Sequence, residues 1–111
     1  MYIETVRFIV PPSGADAFEA VVRGGVVNLL ERNNQCFAYE LARGVGDPAT
    51  YVLRIEWTED SDRIGGVRDG EHLAPLLREV RPYILSVVEA YITETTAVRG
   101  DGGAILGLGL P

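Results

Sequence analysis

The chain has 111 residues, is 47% hydrophobic and 23% charged, and carries a formal net charge of −6. That length predicts one domain with one core, and the acidic balance argues against nucleic acid as a partner, because neutralising phosphates takes clustered Lys and Arg. No apolar run approaches the roughly 18 residues of a membrane span, and Met1-Tyr-Ile-Glu-Thr5 lacks the basic-then-apolar pattern of a signal peptide, so a cytoplasmic protein is expected.

Residues 2–10, Tyr-Ile-Glu-Thr-Val-Arg-Phe-Ile-Val, read as a first strand rich in β-branched and aromatic side chains. Pro11-Pro12 ends it, and Ser13 with Asp16 three residues later reads as a capping box. A helix fits from there to about Arg32, with Phe18, Val21, Val22, Gly25 and Leu29 on one stripe. Gly24-Gly25 costs that helix on the order of 1 kcal/mol per glycine; close approach to a sheet and flexibility are both open as reasons. Asn33-Asn34 break the helix. Cys36 to Arg43 reads as a second strand, and Gly44-Val-Gly-Asp-Pro48 as a turn that makes strands two and three a hairpin.

The third strand, Tyr51-Val-Leu-Arg-Ile-Glu-Trp-Thr58, alternates: Tyr51, Leu53, Ile55 and Trp57 face one way, and Val52, Arg54 and Glu56 the other. Thr58 can cap a short helix that starts with Glu59 and Asp60. A second helix follows, with Pro75 in its first turn, Pro82 near its end and a core stripe of Leu73, Leu76, Leu77 and Val80. Ser86 to Thr95 is the fourth strand. The order β-α-β-β-α-(α)-β is the ferredoxin-like split arrangement, an α+β fold with a four-stranded antiparallel sheet. It predicts a domain over residues 1–96 and a glycine-rich tail over 97–111, mobile unless its leucines dock on a partner chain.

In such a fold the helices cover one sheet face. Here Val6, Phe8 and Val10 lie on one side of the first strand and Ile3 and Ile9 on the other, and the fourth strand splits Val87 and Tyr91 from Val88, Ala90 and Ile92. Two apolar faces call for two covers, which predicts a homodimer packed sheet to sheet, a dimeric α+β barrel.

Scarce residue types prune the chemistry. Cys36 is the single cysteine and His72 the single histidine, and there is no lysine. Internal disulfides, Cys-x-x-Cys redox chemistry, poly-histidine metal sites within one chain and lysine Schiff bases are therefore excluded. The glycines of residues 100–109 lack the preceding strand and following helix of a phosphate loop.

The runs Cys36-Phe-Ala-Tyr-Glu-Leu-Ala-Arg43, Asp47-Pro-Ala-Thr-Tyr-Val-Leu-Arg-Ile-Glu-Trp-Thr58, Gly65-Gly-Val-Arg68 and Pro75-Leu-Leu-Arg-Glu-Val-Arg-Pro-Tyr-Ile84 together resemble the antibiotic biosynthesis monooxygenase domain family, over about residues 1–95. Arg54-Ile-Glu-Trp-Thr58 and Arg81-Pro-Tyr83 are most similar to a subgroup found beside truncated haemoglobins. The resemblance implies a dimeric α+β barrel that oxidises a small aromatic phenol, anthrone or quinol without metal, flavin or haem. The deprotonated substrate itself reduces oxygen, and the protein supplies a dry pocket, a proton acceptor and orientation. Its alternative is a non-catalytic barrel that binds a small ligand or serves a truncated haemoglobin. The chain departs from its relatives at Asp62-Arg63-Ile64, where they carry a histidine. Val6-Arg7, Gly65-Gly66 and Pro75-Leu76 replace the Asn, Trp and His of haem-degrading relatives, which argues against haem degradation.

Six residues are the candidates. Arg54 and Glu56 form either a solvated ion pair or the charged floor of a cavity, and Arg7 can join them. His72 titrates near neutral pH and sits at a loop–helix junction, as a surface or capping residue or as a catalytic base. Trp57 and Tyr39 are core or pocket aromatics, the Tyr39 hydroxyl being suited to a phenolic ligand. Arg54, Glu56 and His72 are expected in catalysis, and Tyr39, Trp57 and Arg7 in substrate binding, with no metal or cofactor ligand.

Overall fold

β-branched and aromatic residues crowd the N-terminal stretch, and β1 (Tyr2–Ile9) is an inner strand of a four-stranded antiparallel sheet. The computed structural model describes residues 1–58 and 73–107. With β2 (Cys36–Arg43), β3 (Thr50–Trp57) and β4 (Ser86–Glu94), the sheet order is β2-β3-β1-β4. Val10 N–H to the Ala49 carbonyl and Thr95 N–H to the Met1 carbonyl, at 2.8 and 2.9 Å, carry the pairing past the strand ends. The β2–β3 hairpin forms as its turn residues predict. Asp47 organises it: its carboxylate accepts from Ala49 N–H at 3.1 Å and from the Thr50 hydroxyl at 3.0 Å, an Asx turn.

Between β1 and β2 the chain is helical from Pro12 to Glu31, but not uniformly. Pro12–Gly14 is a 3-10 turn, α1 spans Ala15–Val21, Val22–Val26 is a π turn, and α2 spans Val27–Glu31. Two expectations change here. Ser13 and Asp16 make no capping box: Gly14 is the N-cap, without a side-chain bond, and its N–H goes to the Pro11 carbonyl at 2.8 Å because the diproline starts a tight turn. The buried stripe is also displaced. It begins at Phe18 and Val22 as predicted but continues at Val26 and Leu30, with Gly25 and Leu29 only half-buried. The i→i+5 bonding of the π turn inserts one extra residue, which moves the inward face on by one position.

The glycine pair has a cause other than the sheet. α3 (Leu73–Val80) packs on the π turn, and a Cβ at Gly25 would lie 2.5 Å from the Glu79 carboxylate, whereas Gly24 faces open space. Gly25 therefore makes room for the Glu79 side chain of α3. α3 buries Leu76 and Val80 from the predicted stripe and ends in a 3-10 turn, Arg81–Tyr83, which contains Pro82.

The register decides the faces. Tyr2, Glu4, Val6 and Phe8 of β1 stand opposite Trp57, Ile55, Leu53 and Tyr51 of β3, all buried under the helices. Phe8, Phe18 and Tyr51 form the aromatic centre, with ring centroids 5.7 and 4.8 Å apart. The other face carries Ile3, Thr5, Arg7 and Ile9 beside Val52, Arg54 and Glu56, so it is mixed rather than largely apolar. A bulge between Arg7 and Phe8 in the β1–β4 ladder puts Val87 opposite Phe8, on the helix side rather than beside Tyr91. The glycine-rich segment is partly ordered: α4 (Gly103–Leu106) is closed by Gly107 at φ 76°, a left-handed cap that glycine adopts at no steric cost. The short helix expected after Thr58, the residues 62–68 and His72 lie outside the described residues.

Candidate functional site

Between the long helix and the β2 side of the sheet lies an open cleft of about 330 Å³. Its floor is apolar because two patterns converge there. The displaced helix stripe brings Val22, Val26 and Leu30, and the β2–β3 register sets Leu41 directly beside Leu53. Glu19, Arg23 and Tyr39 supply its polar groups. The volume is near the lower end for small-molecule sites, and an apolar floor with a few polar groups is their usual make-up.

The polar groups are held in place. The Tyr51 hydroxyl, buried in the core, donates to Glu19 Oε2 at 2.5 Å. The Tyr51 ring packs on Phe18, and the Arg43 guanidinium carbon lies 5.3 Å from its centroid on the ring face, a cation–π contact. Burial, then the bond to Glu19 and its charge, push the Tyr51 phenol up to about 12, so it stays protonated and keeps donating. At the outer end the Tyr39 hydroxyl donates to Glu31 Oε1 at 2.8 Å, and that carboxylate raises the phenol above its ordinary range.

A second polar pair lies deeper. Glu4 is 3% exposed, and Trp57 Nε1 donates to its Oε1 at 3.2 Å. Burial pushes the Glu4 carboxyl up, and the indole bond opposes the shift in part. Trp57 is thus a core residue whose N–H is satisfied by a buried acid. The Cys36 thiol is raised by burial and donates to the Ala38 carbonyl at 3.7 Å, the behaviour of a small apolar residue.

The six sequence candidates separate. Tyr39 lines the cleft and Trp57 is in the core on the same side of the sheet. Arg7, Arg54 and Glu56 are on the helix-free face, in two pairs: Arg7 to Glu89 at 2.9 Å and Arg54 to Glu56 at 3.0 Å. Arg7 does not join Arg54 and Glu56. Its register partner on β3 is Val52, and a carboxylate is nearer on β4. His72 lies outside the described residues. Sequence reasoning missed Glu4 and Glu19. Glu4 had a signal: it is in phase with Tyr2, Val6, Phe8 and Val10, an acid among core positions. Glu19 adjoins the helix stripe four residues before Arg23. Among the described residues no cluster of His, Cys, Asp and Glu is placed to hold a metal ion, and no helix is long and apolar enough to cross a membrane.

Residues 1–74 match the family of antibiotic biosynthesis monooxygenases. No curated protein matches the sequence. Among solved structures, a Bordetella bronchiseptica protein superposes with a TM-score of 0.68 at 19% identity, over 86% of this chain and 96% of its own. HapK from Hahella chejuensis does so with a TM-score of 0.68 at 20% identity, over 93% and 100%. Rv0793 from Mycobacterium tuberculosis gives 0.65 at 14%, over 89% and 98%. At these identities the likeness is one of fold.

Proposed function

The chain belongs to the antibiotic biosynthesis monooxygenase family, and from that membership we propose that it oxidises a small aromatic phenol, anthrone or quinol seated in the cleft between the helix and β2–β3, without a bound cofactor. The cleft carries this reading. Its floor of Val22, Val26, Leu30, Leu41 and Leu53 suits a flat ligand of one to three fused rings, and Glu19, Arg23 and Tyr39 supply polar groups for its hydroxyls. For an anthrone, the ring methylene loses both hydrogens, gains one oxygen atom as a carbonyl, and the second oxygen atom leaves as water. The substrate thus supplies all four electrons that dioxygen takes up. The protein's part is to seat the ring, accept a proton and exclude water.

The same reading sets a second copy of the chain over the helix-free face, which closes the barrel. Ile9, Val52 and Tyr91 would gain cover there. The two ion pairs on that face are already made within one sheet, so covering them strands no lone charge.

Oxygen uptake with a panel of anthrones and hydroquinones tests the activity. Val27→Trp, which fills the cleft from its half-buried wall, should abolish uptake and ring binding together. Absence of uptake across the panel, with ring compounds still bound by the wild type, rejects the enzyme reading. Uptake that survives Val27→Trp rejects the cleft. A monomeric mass at micromolar concentration rejects the second copy.

A further inference from the structure

Glu19 differs from the other acids around the cleft in being held from the core side. Glu31 is exposed and accepts from Tyr39, and Glu40 is exposed and stands opposite Arg54 in the β2–β3 register. Glu19 is half-buried in the cleft wall, and the hydroxyl that fixes its Oε2 belongs to Tyr51, itself 1% exposed. Phe18 at 4.8 Å and Arg43 at 5.3 Å fix the Tyr51 ring in turn. Among the described residues, no side chain donates to Oε1 of Glu19. Arg23, four residues on, brings a guanidinium to the same cleft.

We propose that Glu19 is the proton acceptor for the hydroxyl of a phenolic ligand bound in this cleft, with Tyr51 as its positioning residue and Arg23 as the counter-charge for the ligand oxygen. This rests on the cleft being the ligand site, as proposed above. In the step itself the ligand O–H bond breaks, the proton bonds to Oε1, and the electron pair stays on the ligand oxygen beside Arg23. A carboxylate is a weaker base than a phenolate, so the ground state is a charge-assisted hydrogen bond. Transfer completes as the ring gives electron density to oxygen. The division of labour is spatial: Tyr51 occupies one carboxylate oxygen from the inside, which leaves the other directed at the ligand.

Two ligands with the same ring system separate this inference from the cleft reading. 1-Naphthol donates a hydrogen bond and 1-methoxynaphthalene does not; both fluoresce, so binding is read directly. The wild type should prefer naphthol by about tenfold, the usual worth of one charge-assisted bond. Glu19→Ala should erase the preference and leave methoxynaphthalene affinity within about twofold. Tyr51→Phe keeps the ring in the core and frees the carboxylate, so it should cut the preference to about threefold, again without moving methoxynaphthalene. A merely structural role for Tyr51 would weaken both ligands together. Equal affinities in the wild type, or an intact preference in Glu19→Ala, overturn the assignment of Glu19 and leave the cleft standing. Failure of both ligands to bind overturns the cleft and the assignment with it.

Discussion

Gly24 and Gly25 are neighbours in the π turn, yet alanine at each has a different expected outcome. A helix-interior glycine costs about 1 kcal/mol against alanine. At Gly24 an added Cβ meets nothing within 4 Å, so Gly24→Ala collects that gain in full. At Gly25 the Cβ lies 2.5 Å from Glu79 Oε2 and 3.0 Å from its Cδ. Glu79 is exposed and this is its flexible end, so it swings aside rather than forcing the helices apart. Displacing a side chain from its rotamer costs about 0.5–1.5 kcal/mol, which cancels the gain and leaves Gly25→Ala near neutral. With an unfolding entropy of about 2 cal/mol/K per residue, 1 kcal/mol moves the Tm of a chain of this length by about 4 °C. Thermal melts followed by circular dichroism at one fixed protein concentration resolve that difference. Gly25→Ala combined with Glu79→Ala should recover about 1 kcal/mol. An equal rise for both single variants would refute the packing of α3 on the π turn, and a lower Tm for Gly24→Ala would refute its open surroundings.

Burial holds the proton on Glu4 at pH values where the unfolded chain, with an ordinary carboxyl of 4.5, has released it. Its stabilising contribution is therefore complete below about that pH and is lost as pH rises through the raised folded value. Glu4→Gln keeps an acceptor for Trp57 and removes the titration, so the urea midpoint of the variant should gain on the wild type from pH 4 to 8; parallel curves would contradict this. Phe18→Ala empties the aromatic centre and should cost about 3–5 kcal/mol in urea unfolding. Gly44→Ala should cost on the order of 1–3 kcal/mol, since its Cβ would meet the Asp47 backbone oxygen at 2.3 Å, which no rotamer change relieves. Arg54→Ala breaks a pair whose arginine side chain is 42% exposed; it should cost at most about 1 kcal/mol and leave naphthol affinity in the cleft unchanged.

The sheet was legible because each of its signals is local. Alternation marked β1 and β3, Gly44 to Pro48 marked the hairpin, and the boundaries of β2 at Cys36 and Arg43 follow from Asn33-Asn34 before it and Gly44 after it. What was not legible depends on contacts between distant segments. The stripe passes to Val26 and Leu30 because of a π turn that packs on α3, and no periodicity in residues 18–30 announces a change of bonding. Val87 changes sides at a bulge that exists only in the β1–β4 register. The site shows the same division. Tyr39 was found from its own strand. The pairing of Glu19 with Tyr51 spans 32 positions and that of Glu4 with Trp57 spans 53; the phase of Glu4 among core positions marks it as buried, but no local pattern names either acid's partner. The charges that did stand out, Arg54 and Glu56, drew notice by breaking an apolar strand, and they occupy the opposite face.

Trp57 is the chain's sole indole, and its N–H meets the β1 carboxyl of Glu4 inside the core. That makes the protein its own optical gauge. Emission from the folded state should be blue-shifted and free of interference from any second fluorophore of its kind. It should dim or brighten with the proton on Glu4, since a neighbouring carboxylic acid quenches indole more strongly than a carboxylate does. A single excitation wavelength thus reads the ionisation of a buried group that no other spectroscopic handle in this sequence reaches.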